Sequence, residues 1–152
     1  MEKTSAPGAG LLKVIGIIGL VLSGIGLLTT FVGFLAIEQG GDAPLSAGFL
    51  FWLFISTCYY TFMYLMAVIH CKNLEKSELL LTLGYVGVGF IVVETIVGVV
   101  VVGLSSVVMI PLSAVFLALY IVGASKNKKM FDSQLSQQRA NSTDSQCATH
   151  NG

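Results

Sequence analysis

Length, composition and charge restrict this protein to few classes. The chain has 152 residues, of which 55% are hydrophobic and only 11% charged, and its formal net charge is zero. A soluble domain carries roughly a quarter charged residues, so this chain lacks the polar surface that a water-soluble fold needs. We also do not expect nucleic-acid binding, because the sequence has no basic patch large enough to support it.

Apolar runs long enough to cross a bilayer, about 20 residues each, follow one another along the chain. The first two lie at 11–37 and 47–69. The apolar block from 79 to 124 is too long for one crossing, and Gly103, Ser105 and Ser106 predict a tight turn near 102–106. The sequence therefore predicts four transmembrane helices, at 11–37, 47–69, 79–102 and 104–124, with a kink in the last at Pro111.

The positive charges lie in alternate segments between the predicted spans. The loop after the first span has Glu38 and Asp42 but no Lys or Arg. Cytoplasmic loops of membrane proteins carry an excess of Lys and Arg, which predicts that the N-terminus (1–10), the middle loop and the tail (126–152) are cytoplasmic. The basic residues that carry this prediction are Lys3, Lys13, Lys72, Lys76, Lys126, Lys128 and Lys129.

These patterns together predict the fold class: an all-α, integral membrane, antiparallel four-helix bundle with cytoplasmic N- and C-termini. Short connections force neighbouring spans to run antiparallel. The four spans make one domain, 11–125. The tail is rich in Ser, Gln, Asn and Thr and has no apolar period, so it is predicted to be disordered.

Small residues recur at helical spacing on two spans and predict the faces on which helices pack. In lipid, helices associate through close van der Waals contact, and small side chains permit it. The sequence favours packing within one chain over packing between copies, but leaves both open. The first span carries Gly16, Gly19, Ser23, Gly26, Thr30 and Gly33, and the third carries Gly84, Gly87 and Gly98.

One carboxylate, Glu94, lies inside the third span, in the segment IVVETIVGVVVVG. It is fifteen residues beyond Leu79, so at 1.5 Å per residue it lies on the order of 20 Å from the cytoplasmic edge, beyond the reach of any Lys. An acid without a nearby cation is expected to be protonated and to share hydrogen bonds with hydroxyls. The predicted intramembrane polar cluster is Glu94, Thr30, Thr57, Tyr60 and Ser113, with Thr29 and Ser56 at similar depth.

Other candidate sites depend on single residues. Cys71, just beyond the second span, is a candidate for reversible palmitoylation, although an unmodified thiol fits the sequence equally well. Phe51, Trp52 and Phe54 are predicted to be interfacial aromatic anchors. No catalytic set of residues, cofactor site or metal site is predicted.

In its spans, short outer loops and third-span acid, the chain resembles the MARVEL-domain family, which includes the MAL, plasmolipin and chemokine-like-factor-type proteins. The resemblance covers residues 11 to 125. It lies in a Phe-rich second span ending LMAVIH, a third-span segment GYVGVGFIVVET, and a fourth span closing ALYIVGASKNKK.

The resemblance implies a non-enzymatic membrane organiser, active in vesicle trafficking, membrane apposition or cell-junction assembly. Its expected partners are membrane lipids, cholesterol-rich membranes among them, other membrane proteins and further copies of itself, in the plasma membrane or vesicle membranes. Two alternatives remain open from the residues. One is a small proton- or ion-translocating proteolipid or accessory channel subunit using Glu94, and the other is an escort that binds a partner through the small-residue face of the first span.

Overall fold

The computed structural model describes residues 6–38, 47–102 and 110–150, and within them the chain forms four α-helices and one short 3-10 helix. The α-helices are α1 (Ala9–Glu38), α2 (Ala47–His70), α3 (Ser77–Val102) and α4 (Ile110–His150), and the 3-10 helix, Leu74–Lys76, lies before α3. No strand occurs in these ranges. The predicted turn near 102–106 lies outside the described residues.

Three of the helices are long and apolar enough to cross a membrane, at Ala9–Ala36, Gly48–His70 and Leu74–Val100. Their large apolar side chains point outward over much of their length; Leu28 is 68% exposed and Val100 79%. A water-soluble bundle would bury such side chains. This distribution indicates a membrane protein whose helices face lipid.

The helices form an antiparallel ring. The two most extensive contacts are those of α1 with α2 and of α3 with α4. Smaller contacts, of α1 with α4 and of α2 with α3, close the ring. Gly16 of α1 lies beside Val68 of α2, whereas Gly33 lies beside Leu50. Contacts that advance along α1 therefore go backward along α2, which makes this pair antiparallel.

The small-residue face of α1 packs on α2 of the same chain. At Gly19 the ring of Tyr64 comes so close that a Cβ would lie 2.5 Å from its carbons, and at Gly26 a Cβ would lie 3.2 Å from Thr57. Ser23 and Thr30, on the same face, are also buried. The face predicted from spacing is thus used for packing within the chain.

The glycines of α3 serve a second helix pair. A Cβ on Gly84 would lie 2.8 Å from Ile121, and one on Gly87 would lie 3.1 Å from Leu117. Both neighbours belong to α4, so these glycines let α3 and α4 approach closely. Gly98, further along α3, is buried as well.

The described part of α4 begins at Ile110, and Pro111 is its second residue. A kink at Pro111 would involve the turn before it, and residues 103–109 lie outside the described ranges, so the kink stays a prediction. The predicted fourth span began at 104, and its first residues lie outside the described ranges. The described apolar part, Ile110–Ala124, extends about 22 Å at 1.5 Å per residue.

The tail, predicted to be disordered from Lys126, is helical to His150. Two features explain the difference. Asn127 is completely buried at the end of the bundle, which fixes the start of this segment, and extending an existing helix requires only one ordered residue per hydrogen bond gained. The hydroxyls of Ser133 and Ser136 also donate to the carbonyl oxygens of Lys129 and Asp132, one turn earlier, so these polar side chains do not interrupt the helix.

Candidate functional site

The acid of the third helix lies at the contact between α3 and α2. Glu94 is partly buried, and its carboxyl group forms side-chain hydrogen bonds with the hydroxyls of Ser56 and Tyr60 on α2. Ser56 is 1% exposed. These two residues are four apart and therefore lie on one face of α2, one turn apart. Glu94 thus bridges two turns of the neighbouring helix.

Both hydroxyls that hydrogen-bond to Glu94 also lie within hydrogen-bond distance of a backbone carbonyl. Ser56 donates to the Leu53 oxygen at 3.2 Å, and Tyr60 donates to the Gly87 oxygen at 3.4 Å, a long and weak bond. A hydroxyl has one proton to donate and two lone pairs to accept with. Each hydroxyl can therefore donate either to Glu94 or to its backbone carbonyl, and a protonated Glu94 can donate its own proton to a hydroxyl that keeps the backbone bond.

Two cavities meet at Glu94. The smaller, about 210 Å³, is lined mainly by α2 and α3, Gly98 among them, and by Ser113 of α4. The larger, about 610 Å³, is bordered by all four helices. Among the described residues that line either cavity there is no Lys, Arg or His. Within the described part of both cavities the acid therefore faces hydroxyls and apolar groups.

The predicted polar cluster is brought together in part. Thr57, Tyr60 and Ser113 line the larger cavity with Glu94. Thr30 does not line it; its hydroxyl donates to the Gly26 carbonyl of its own helix at 2.8 Å. On α1 the cavity is lined by Thr29 instead. The sequence predicts that Ser56 lies at a depth similar to that of Glu94, but the predicted cluster does not include it. Depth alone does not specify rotation about a helix axis, so the contact of Ser56 with Glu94 could not be predicted.

A row of aromatic rings continues from this site across the bundle. Phe90 of α3 stacks between Tyr59, with ring centroids 4.4 Å apart, and Trp52, at 5.8 Å. Trp52 thus packs on α3, and its buried Nε1 has no hydrogen-bond partner among the described residues. Trp52 faces α3, whereas its neighbours Phe51 and Phe54 are exposed; the interfacial position of all three stays a prediction.

At the opposite end of the bundle lies a buried amide that sequence reasoning missed. The Asn127 side chain of α4 is completely buried. Its Oδ1 accepts from the Gly8 backbone N–H at 2.7 Å, and its Nδ2 donates to the Cys71 carbonyl at 3.0 Å. The close approach of Gly8 to Gly123, where a Cβ on Gly8 would collide with the Gly123 carbonyl, brings the three segments together. We call these contacts the Asn127 clasp.

Of the two readings that the sequence left open for Cys71, palmitoylated or unmodified, the burial of its side chain favours the unmodified thiol. This residue is 4% exposed, and its Sγ donates to the Val68 carbonyl at 3.3 Å. An acyl-transferring enzyme needs an accessible thiol, and this one lies beneath the Asn127 clasp. Of the cysteines with described side chains, Cys58 is the exposed one.

The fold and site together define an α-helical membrane protein with a partly buried acid held by hydroxyls. Comparison of the chain with models of known protein families, with curated proteins and with solved structures found no match.

Proposed function

We propose that this protein crosses the membrane four times, with its N-terminus, middle loop and tail in the cytoplasm. The Asn127 clasp supports this proposal. It joins Gly8, Cys71 and Asn127, each of which is close in sequence to one of the Lys-bearing segments, so these positive charges gather at one end of the bundle. Such a gathering is typical of the cytoplasmic end of a membrane protein.

Its function is non-enzymatic organisation of the membrane around it, in vesicle trafficking, membrane apposition or cell-junction assembly. The observation that carries this proposal is the outward direction of the large apolar side chains on α1, α2 and α3. Most of the protein's contact surface then faces lipid and neighbouring transmembrane helices. The resemblance to the MARVEL-domain family points to the same function, in the plasma membrane or in vesicle membranes.

The experiment is capture of the tagged full-length protein in polymer-bounded discs cut directly from native membranes. An unrelated four-span protein, captured from the same membranes, is the control. We expect the discs of this protein to differ from the control discs in lipid composition and to contain trafficking or junction proteins. The proposal would be contradicted if both sets of discs had the same lipid composition and if no protein were captured specifically with this one.

Proton or ion translocation by Glu94 is the second candidate, favoured by the two cavities that meet at this residue. It predicts flux in liposomes that contain the purified protein, and loss of that flux in Glu94→Gln, because the amide cannot release a proton. The membrane-organising function predicts no flux above that of protein-free liposomes in either case. The third candidate, docking of a partner on the small-residue face of α1, would have to compete with α2, which packs on that face at Gly16, Gly19, Gly26 and Gly33.

A further inference from the structure

We propose that the larger cavity is a binding site for a neutral lipid with a hydroxyl head group, which enters from the bilayer between α1 and α4. This inference rests on the proposed membrane function and deepens it, because it assigns a ligand class to one site. Three properties of the cavity carry it: its position between these helices, the hydrogen-bonding character of its polar lining, and its apolar remainder.

The cavity opens to the outside between parts of α1 and α4 whose lining side chains are exposed. At the end that holds the Asn127 clasp the two helices are in contact, and a Cβ on Gly123 would lie 2.9 Å from Leu12. Toward the other end they line the cavity, α1 with Leu22 and Thr29 and α4 with Leu112. These three side chains are exposed. In a membrane this opening would face the acyl chains, so lipid would be the nearest source of a ligand.

Most of the polar lining of the cavity presents hydrogen-bond acceptors, and two tyrosine hydroxyls add groups that can also donate. The hydroxyls of Ser23, Thr29 and Thr57 each donate to a carbonyl of their own helix, at 3.2, 2.9 and 2.7 Å. Their protons are thereby used, and their oxygen lone pairs remain available to accept. The Glu94 carboxyl group adds acceptor oxygens. A head group that donates hydrogen bonds, as a hydroxyl does, complements this lining.

The same lining disfavours charged head groups. No Lys, Arg or His is among the described residues that line the cavity, so a phosphate or carboxylate head would lose its hydration without gaining a cation. Moving an unpaired charge out of water is far more unfavourable than moving a neutral hydroxyl that finds a partner. A neutral head is therefore favoured over the anionic and zwitterionic heads of common phospholipids.

The remaining lining provides space for a hydrocarbon body. Leu112, Phe116 and Leu117 of α4 face Leu22 of α1 across the cavity, and Gly19 leaves the α1 wall flat. The cavity volume of about 610 Å³ falls within the range of roughly 300–1,000 Å³ typical of small-molecule sites. One acyl chain or a compact ring system would fit.

The test uses the full-length protein in liposomes and a photoreactive, clickable monoacylglycerol with its crosslinking group in the acyl chain. Two matched probes share that chain. One has both glycerol hydroxyls methylated, which removes the donors, and the other is the lysophosphatidic acid, which adds negative charge. We expect the monoacylglycerol to label the protein about tenfold more than either matched probe, the ratio expected when buried hydrogen bonds are lost, with crosslinked peptides in α1 and α4.

Two variants of one helix locate the site. Leu112→Trp places a large ring in the cavity, whereas Val115→Trp places it on a lipid-facing position of nearly equal exposure, 55% against 56%. We expect labelling to fall about tenfold in Leu112→Trp and to be unchanged in Val115→Trp. Glu94→Gln, which keeps acceptor capacity, should retain more labelling than Glu94→Leu. Competition with unlabelled diacylglycerol, ceramide or sterol then identifies which hydroxyl-bearing lipid binds best.

Equal labelling by the three probes, equal labelling of the two tryptophan variants, or stronger labelling by a sphingoid amine probe would overturn the inference. Circular dichroism and size-exclusion profiles establish that each variant is folded. The proposed function fails separately: a protein that inserts with four spans but binds no neutral lipid contradicts only the inference, whereas captured discs identical to the control discs contradict only the function.

Discussion

The Asn127 clasp allows the sharpest quantitative prediction. In Asn127→Ala the Gly8 N–H and the Cys71 carbonyl lose their side-chain partners in a site where the asparagine is completely buried. A buried polar group left without a partner costs about 1–3 kcal/mol. Because two such groups are involved and some water can enter the space left behind, we expect a loss of about 2–4 kcal/mol in the free energy of unfolding.

The assay is reversible unfolding of the purified protein in bicelles by titration with SDS, followed by circular dichroism. Asn127→Asp serves as a comparison of equal size. It keeps an acceptor for the Gly8 N–H but turns an oxygen toward the Cys71 carbonyl, so it should also be destabilised. Ser133→Ala, an exposed change on the same helix, should alter stability by less than about 0.5 kcal/mol. If the free energy of unfolding of Asn127→Ala lies within about 0.5 kcal/mol of the wild-type value, the clasp does not stabilise the bundle.

Further predictions concern three other positions. Gly19→Leu should lower the free energy of unfolding by about 3 kcal/mol or more by overpacking, because a Cβ at this position would already lie 2.5 Å from Tyr64. Gly24→Leu should be tolerated, because a Cβ at Gly24 has no neighbour within 4 Å. Equal effects of the two substitutions would contradict the α1–α2 packing. Glu94→Leu should lower the free energy of unfolding by about 1–2 kcal/mol, since hydrogen bonds between membrane helices contribute modestly. Glu94→Gln should lower it by less, because the amide retains donor and acceptor groups. At neutral pH an infrared band of a protonated carboxyl group should disappear in Glu94→Gln, and a carboxylate band in its place would show that the acid is charged. Acyl-exchange mass spectrometry should find no palmitate on Cys71, because the thiol is buried, and its detection in the folded protein would contradict that burial.

The sequence predicted well those features that depend on hydrophobicity and periodicity. Apolar runs located α1, α2 and α3, and the spacing from Gly16 to Gly33 identified the inward face of α1, because only small side chains let two backbones come together. The identity of the packing partner could not be read in this way. Spacing on one helix says nothing about which helix covers it, and that α2 does so emerges only from contacts such as Gly19 with Tyr64.

Features that depend on rotation about a helix or on a single polar contact escaped prediction. At 1.5 Å per residue, Ser56, Thr57 and Thr30 are all predicted to lie near the depth of Glu94. In the structure Ser56 hydrogen-bonds to Glu94, whereas the Thr30 hydroxyl bonds within its own helix. The polar composition after Lys126 predicts disorder and gives no sign that Asn127 is buried. Nothing in the local pattern SKNKK distinguishes a buried asparagine from an exposed one.

The central claim is that the chain crosses the membrane four times, and the sidedness of two positions tests it most directly. In a background with Cys58→Ala and Cys71→Ala, the native Cys147 reports on the tail and Gly41→Cys reports on the loop after α1. The account predicts that a membrane-impermeant maleimide labels position 41 on intact cells, and labels Cys147 only after the membrane is permeabilised. Labelling of both positions on intact cells would mean that α4 does not cross, and it would contradict the four-span account.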